Sequence, residues 1–446
     1  MKINSAPRFH LAVIVAALFS LCAANVYGQD IKGGAGARAP GDARAPGDSP
    51  HVTFASSASA PRRRATNPTV RRRSRAVAQS KTQTKPQPTT DDVSEKVEDA
   101  IEQANAHRDA KRYSEAEQSY RQALTLDSKN ARAYAGEGNV YLDQQQYAQA
   151  IEAYKQAVSL DPDDSQSYAN LGYTYAWLSR WNESIEASKT AVRLKPDDYW
   201  PYVYLSWAYN MLGRSAEAAD AAQKAIRLKP DEYIGYAHLS WAYSGLYKPA
   251  EAIEAARQAI RLKPEEFWPY VLLSLGDNLA GRPAEAVEAA RQALHLKADD
   301  PWAYVNLGWA YNSLARPADA IEAVQQAIRL QPDNSYAYLH LAWAYNSSGR
   351  FAEAVDAAKQ ASRLNPADPW AYVHLSWAYY SLKRYAEAAE AAKQGVRVSA
   401  SNVQAHYELG LAYLALGDRA NAMEEYKALT TLDKNTADLL LNAINR

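Results

Sequence analysis

Apolar residues recur along this chain at two spacings. Within a short stretch they fall three and four apart, as on one face of a helix. From stretch to stretch they return every 34 residues. Tyr202, Leu205, Ser206 and Tyr209 mark one such face, and Ala218, Ala222 and Ala225 mark the face of the helix that follows. Gly213-Arg214 falls between the two and predicts a turn.

Prolines set the register. Pro162, Pro196, Pro230, Pro264, Pro332 and Pro366 lie on one 34-residue grid, with Ala298 at the one substituted point. With that residue at position 32, repeats begin at 97, 131, 165, 199, 233, 267, 301, 335, 369 and 403, without insertions, and the tenth ends at Thr436. Capping signals agree. Acidic pairs such as Asp197-Asp198 precede the first helix, where the helix dipole favours anions. Pro301 and Pro369 open first helices, and Pro249, Pro283 and Pro317 open second helices, at sites that need no backbone donor. Arg193, Arg227 and Arg261 sit in last turns, where cations are favoured, before the stopping proline.

The pattern resembles the tetratricopeptide repeat family, whose unit is a 34-residue helix–turn–helix. Position 8 is small (Gly138, Gly172, Ser206, Ser240, Ser274, Gly308, Ala342, Ser376, Gly410), and position 20 is Ala or Ser from Ala116 to Ala422. The resemblance covers 97–436. It implies an all-α, right-handed superhelical solenoid with a groove lined by first helices, used to bind peptides and proteins, and with terminal repeats as caps. Residues 437–446, with Leu439, Leu440, Leu441 and Ile444, read as a capping helix. Repeat 6 departs from the others: Leu275-Gly276-Asp277 replaces the usual Trp-Ala-Tyr, and an acid on the core stripe predicts a weak point or hinge.

First helices carry a second stripe, at positions 2, 5, 9 and 12, about 130° from the packing stripe at the helical 100° per residue. It holds Trp200, Trp268, Trp302 and Trp370 at position 2, and Trp207, Trp241, Trp309, Trp343 and Trp377 at position 9. Asn210, Asn278, Asn312 and Asn346 occupy position 12. The resemblance places these positions in the groove, where an asparagine column can hold extended backbone through one acceptor and two donors per amide. Nine indoles at about 200 Å² each, even half exposed, would exceed the roughly 300–600 Å² apolar patch of an ordinary surface. Either the rings are mostly buried between repeats or the face binds something. Helices pack about 8–10 Å apart, so each repeat would read about three residues of an extended or proline-rich peptide. The four stripe positions carry no Lys or Arg in repeats 4–9, so a carboxylate clamp is not supported.

Composition divides the chain further. Lys2 and Arg8, the apolar run 11–24 and small residues before Gln29 read as a signal peptide over 1–28 and predict an exported protein, periplasmic, envelope-associated or secreted. An uncleaved anchor and a lipid-modified Cys22 stay open. The run is too short for a spanning helix, which needs about 20 residues. Residues 29–92, rich in Gly, Ala, Pro, Ser, Thr and Arg, read as a disordered tail. They hold 12 Lys+Arg against 5 Asp+Glu, while the body from 93 carries an acidic excess. The tail could meet an anionic surface or the acidic body itself; without aromatics among its arginines, nucleic acid is not indicated.

Chemistry beyond binding finds no footing. Gly33-Gly34-Ala35-Gly36 lacks the strand that a phosphate loop requires. His340 and His374 stand one repeat apart, too far to share a zinc ion at about 2.0–2.1 Å from each nitrogen. No nucleophile–base pair stands out. The sequence therefore predicts a non-enzymatic, cofactor-free scaffold. Two alternatives stay open: an envelope-associated structural module anchored by the basic tail, and a glycan-binding module using the tryptophan faces.

Overall fold

A computed structural model describes residues 90–445. The expected signal peptide, Cys22 and all but the last residues of the basic tail lie outside them. Every regular element among the described residues is helical. The order is α1 Thr90–Asp109, α2 Tyr113–Leu126, α3 Ala131–Asp143, α4 Tyr147–Leu160, α5 Ser165–Trp177, α6 Trp181–Leu194 and α7 Tyr199–Met211. It continues with α8 Ser215–Leu228, α9 Tyr233–Gly245, α10 Pro249–Leu262, α11 Trp268–Leu279, α12 Pro283–Leu296, α13 Pro301–Ser313 and α14 Pro317–Leu330. It ends with α15 Ser335–Ser347, α16 Phe351–Leu364, α17 Pro369–Ser381, α18 Tyr385–Val398, α19 Val403–Ala415, α20 Arg419–Leu432 and α21 Lys434–Ile444. Each 34-residue unit is thus a helical hairpin. α1 begins at Thr90, so residues 90–92, which composition groups with the tail, belong to the first helix.

The chain divides into two compact units, with described residues 90–167 in one and 168–445 in the other. In the first, tyrosines of the second helices reach across to the first helices. Tyr120 Oη donates to Asn105 Oδ1 at 2.6 Å, and Tyr154 Oη to Asn139 Oδ1 at 2.7 Å. Arg108 pairs with Asp143 at 2.6 Å across neighbouring hairpins.

In the second unit the small residues at positions 8 and 20 form the contact between the helices of each hairpin. Ser206, Ser240, Ser274 and Ser376 donate to the carbonyls of Ala218, Ala252, Ala286 and Ala388, at 2.8–2.9 Å. Repeat 3 makes the same contact reversed, with Ser184 donating to the Gly172 carbonyl at 2.7 Å. Each hydroxyl is buried and satisfied, so close approach costs no unpaired polar group. Where position 8 is Gly308, an added Cβ would lie 2.3 Å from Val324.

Tyrosines at positions 4 and 11 tie hairpins together. Tyr202, Tyr270 and Tyr372 donate to the carbonyls of Pro196, Pro264 and Pro366, at 3.2–3.3 Å, which fixes the loop entering each repeat. At position 11, Tyr209, Tyr311, Tyr345 and Tyr379 each lie under the guanidinium at position 16, at 4.4–4.7 Å. That arginine in turn pairs with the acid at position 19, as in Arg214–Glu217 and Arg350–Glu353. The turn between the helices places position 15 in the left-handed region in all ten repeats. Glycine fills it only at Gly213, Gly281, Gly349 and Gly417; elsewhere a side chain bears the strain, as at Tyr247 and Ala315. At the C-terminal end, α21 packs Leu440 and Ile444 inward, with Leu440 against Gly410.

Candidate functional site

First helices of repeats 4–9 are apolar nearly all round, as expected of helices enclosed by neighbours. The second stripe is split by this packing. Trp207, Trp309, Trp343 and Trp370 are buried, whereas Trp200, Trp241, Trp268, Trp302 and Trp377 are half-buried and keep part of their surface open. Burial thus divides the indoles of one face into two sets.

Two of the buried members, Trp309 and Trp343, stack on a residue the stripe pattern passed over, position 6 of the following repeat. Trp309 lies on His340, ring centroids 5.5 Å apart and planes 21° apart. Trp343 lies on His374 at 6.2 Å and 17°. His340 and His374 are buried, and desolvation lowers their pKa to about 3 and about 4. They are neutral rings within an aromatic column, and their positions follow from packing. Among the described residues no three His, Cys, Asp or Glu side chains gather into a metal-binding group.

The asparagine column is turned to the same seam. Asn210, Asn278, Asn312 and Asn346 donate Nδ2 to the main-chain carbonyls of His238, Asn306, His340 and His374, at 2.9–3.1 Å. Each bond joins position 12 of one repeat to position 6 of the next. One donor of each amide is thus used within the chain rather than held out to a ligand. The Oδ1 atoms of Asn278, Asn312 and Asn346 are enclosed without a partner. Asn306 adds a second bond at the same seam, Nδ2 to the Val271 carbonyl at 3.0 Å.

Position 6 carries a readable signal: it is polar in repeats 7–10, as Asn306, His340, His374 and Glu408, inside otherwise apolar helices. Glu408 ends the series. It is 8% exposed, accepts one hydrogen bond from Gln404 at 2.9 Å, and burial pushes its pKa up to about 7.

Repeat 6 interrupts the aromatic column. Leu275 takes the place of tryptophan beside the Leu279–Trp309–Trp343 cluster. Ile253 comes within 3.0 Å of where a Cβ on Gly276 would be. α11 runs unbroken through Asp277, so the acid does not break the helix. Its cost is electrostatic: the side chain is 2% exposed, Oδ1 has no partner, and burial raises its pKa to about 6 against the lowering pull of Arg257 and Arg282.

Sequence models of known families match these hairpins. A model described as "Tetratricopeptide repeat" matches 170–233, 305–369 and 373–436, and two further models of that description match 345–398 and 101–130 with 235–266. One described as "TPR repeat" matches 138–179. The matched segments leave out 267–304, which contains the irregular repeat 6. No curated protein matches the chain at a significant level. Among solved structures, a chain of the APC/C hetero-tetramer Cut9–Hcn1 is 15% identical, with TM-score 0.53, over 80% of this chain and 88% of its own. Yeast Tom70 is 13% identical, with TM-score 0.39, over 79% and 95%. The MamA protein is 28% identical, with TM-score 0.34, over 38% and 92%. At these identities the likeness concerns fold, and only the first superposes over a shared architecture. The 34-residue register, the small contact at positions 8 and 20 and the matched segments from 101 to 436 agree, and the chain belongs to the tetratricopeptide repeat family.

Proposed function

We propose that the aromatic face of repeats 4–9 holds an extended, proline-rich segment of a protein partner, without transforming it. Tetratricopeptide repeats serve as protein-interaction scaffolds, and this chain has that role at the coarse level. The finer reading rests on one observation: Trp200, Trp241, Trp268, Trp302 and Trp377 keep part of their rings exposed on a face whose stripe positions carry no Lys or Arg. Proline rings pack on indole faces and ask for few hydrogen bonds, which suits a column whose asparagines already spend one donor each on the next repeat. A glycan would stack on the same rings but needs convergent polar groups, so the peptide is favoured. The N-terminal segment, as a signal peptide, would deliver this scaffold outside the cytoplasm, and the basic tail would add contact with an anionic surface.

The test uses the half-exposed rings. Blocked decaproline titrated against the full chain should change tryptophan fluorescence saturably, and Trp268→Ala/Trp302→Ala should weaken it at least about tenfold while remaining folded, an effect the size of a modest interface anchor. Equal affinity in the double variant, or no saturable change in the wild type, would refute the reading.

A second reading applies to other residues on the face. The Trp309–His340 and Asn312–His340 contacts tie repeats to one another, so the buried part of the stripe is structural whether or not the exposed part binds.

A further inference from the structure

Glu408 stands where the aromatic column ends, at position 6 of the last repeat. The two previous repeats place neutral, buried histidines there, each beneath the tryptophan at position 9 of the repeat before. By the same register Trp377 precedes Glu408. The carboxylate is more than nine-tenths buried. Gln404 satisfies Oε1; Oε2 has no partner and is not among the polar atoms closed off from solvent.

Its surroundings are aromatic. From α17 comes Tyr380, at the position where other repeats hold asparagine; in the preceding pair that position meets position 6 of the next repeat, which here is Glu408, and the Tyr380 ring lies 5.3 Å from Tyr385 of α18. From α19 itself come Gln404 and Tyr407, the latter next to the acid in the chain, with its hydroxyl pKa raised by burial and by the acid's charge. Among the described residues no lysine or arginine pairs with it. His406, two residues away on another face of α19, is already held by Glu425 at 2.6 Å and by the Ala400 carbonyl at 3.0 Å. A buried carboxylate with tyrosine rings beside it and no cation is an uncompensated charge. It is also the arrangement that recognises an alkylammonium or guanidinium: rings attract the cation face-on, and the acid supplies the counter-charge.

We propose that Glu408, with Tyr380, Tyr407 and Trp377, receives a lysine or arginine side chain of the partner segment, and so fixes the direction and register of a peptide on the aromatic face. The rest of that peptide depends on the reading given above; the cation site at Glu408 does not.

The test separates the two. At pH 8, thermal unfolding of the full chain is followed in tetramethylammonium chloride and in sodium chloride of equal ionic strength. The organic cation should raise the melting temperature of the wild type above the sodium control, as a ligand of the native state must. Glu408→Gln should lose that rise, and Trp302→Ala should keep it. A blocked proline-rich peptide with one lysine should then bind roughly tenfold more tightly than the same peptide with norleucine, the scale of a desolvated cation on aromatic rings. The preference should collapse in Glu408→Gln. No rise in the wild type, or the same rise in Glu408→Gln, overturns the proposal; a lysine preference that survives in Glu408→Gln does so too. Failure of both peptides with the tetramethylammonium response intact would remove the aromatic-face reading and leave the cation site standing.

Discussion

Asn312 donates its side-chain amide to the main-chain carbonyl of His340, 2.9 Å away in the next repeat. The same His340 ring lies against Trp309, three residues before that asparagine. His340, and likewise His374 one repeat on, is thus gripped twice by the preceding repeat, once through the backbone and once through the ring. The stripe that the sequence presents as a peptide ladder is partly the joint between repeats.

Removing that joint has a graded cost. Asn312→Ala loses one buried hydrogen bond and should destabilise its neighbourhood by about 1 kcal/mol. Asn312→Asp should cost more at neutral pH, because it exchanges the donor for a buried charge facing a carbonyl. Hydrogen exchange of α13 and α15, which resolves local opening in a repeat array, should show the order Asp, Ala, wild type from least to most protected. Equal protection in all three would mean the seam does not depend on this bond.

Tryptophans on one stripe should divide by burial. Trp309→Ala empties an enclosed site and should cost about 3–5 kcal/mol. Trp302→Ala removes a half-exposed ring and should cost under about 1.5 kcal/mol. Urea unfolding checks the pair, and similar losses would contradict the division.

Asp277 should make stability fall as pH rises. Its native pKa of about 6 stands above the ordinary 3.8, so the native state binds the proton more tightly than the unfolded chain. Its contribution is therefore full below pH 3.8 and is lost as pH climbs through about 6. Asp277→Asn should stabilise the chain by about 2 kcal/mol at pH 8, discounted for partial solvation, and change little near pH 4. Asp277→Tyr should gain as well, by giving Arg282 the ring that arginines cover at position 16 elsewhere. Denaturant midpoints at the two pH values decide this.

His340 and His374 act in the opposite sense. Their native pKa values of about 3 and about 4 lie below the ordinary 6.5, so the unfolded chain takes up protons first as pH falls. Stability should decline from pH 6.5 downward, and His340→Phe/His374→Phe, which keeps rings in the column, should flatten that slope. An unchanged slope in the double variant would show that the acid sensitivity arises elsewhere.

Position 15 isolates a backbone effect. Ala315 has φ of 55°, and Ala315→Gly should stabilise by about 1 kcal/mol. Gly349 has nothing within 4 Å of an added Cβ, so Gly349→Ala should lose about as much through conformation alone. Melting temperatures of the two variants should move in opposite directions.

Sequence periodicity carried most of the fold. The 34-residue register predicts first helices that begin, as found, at Ala131, Ser165, Tyr199 and Tyr233, because helix period, caps and stopping prolines are all local properties. Glycine marks the turn at Gly213, Gly281, Gly349 and Gly417; the left-handed residue at the same point of the other six repeats is legible only through the repeat, since residues such as Lys111, Ser179 and Tyr247 bear no mark of it. At the candidate site the composition of the face was legible, but its use was not. A helical wheel gives the direction of Asn312 and Trp309 about their own helix and says nothing about how far the next helix stands away.

That distance is what the tertiary structure decided. Seen from the sequence alone, Asn312 offers two donors and an acceptor to whatever lies beyond; in the packed array a carbonyl of the next repeat lies 2.9 Å away and takes one donor. Trp309 and Trp302 share a stripe, yet one is enclosed and the other half-open, because burial depends on neighbours supplied by other repeats. Local chemistry determined the hairpins and their number. Which polar atoms remain for a partner was settled only when the hairpins stacked, since hydrogen bonds and desolvation act over a few ångströms between residues far apart in the chain.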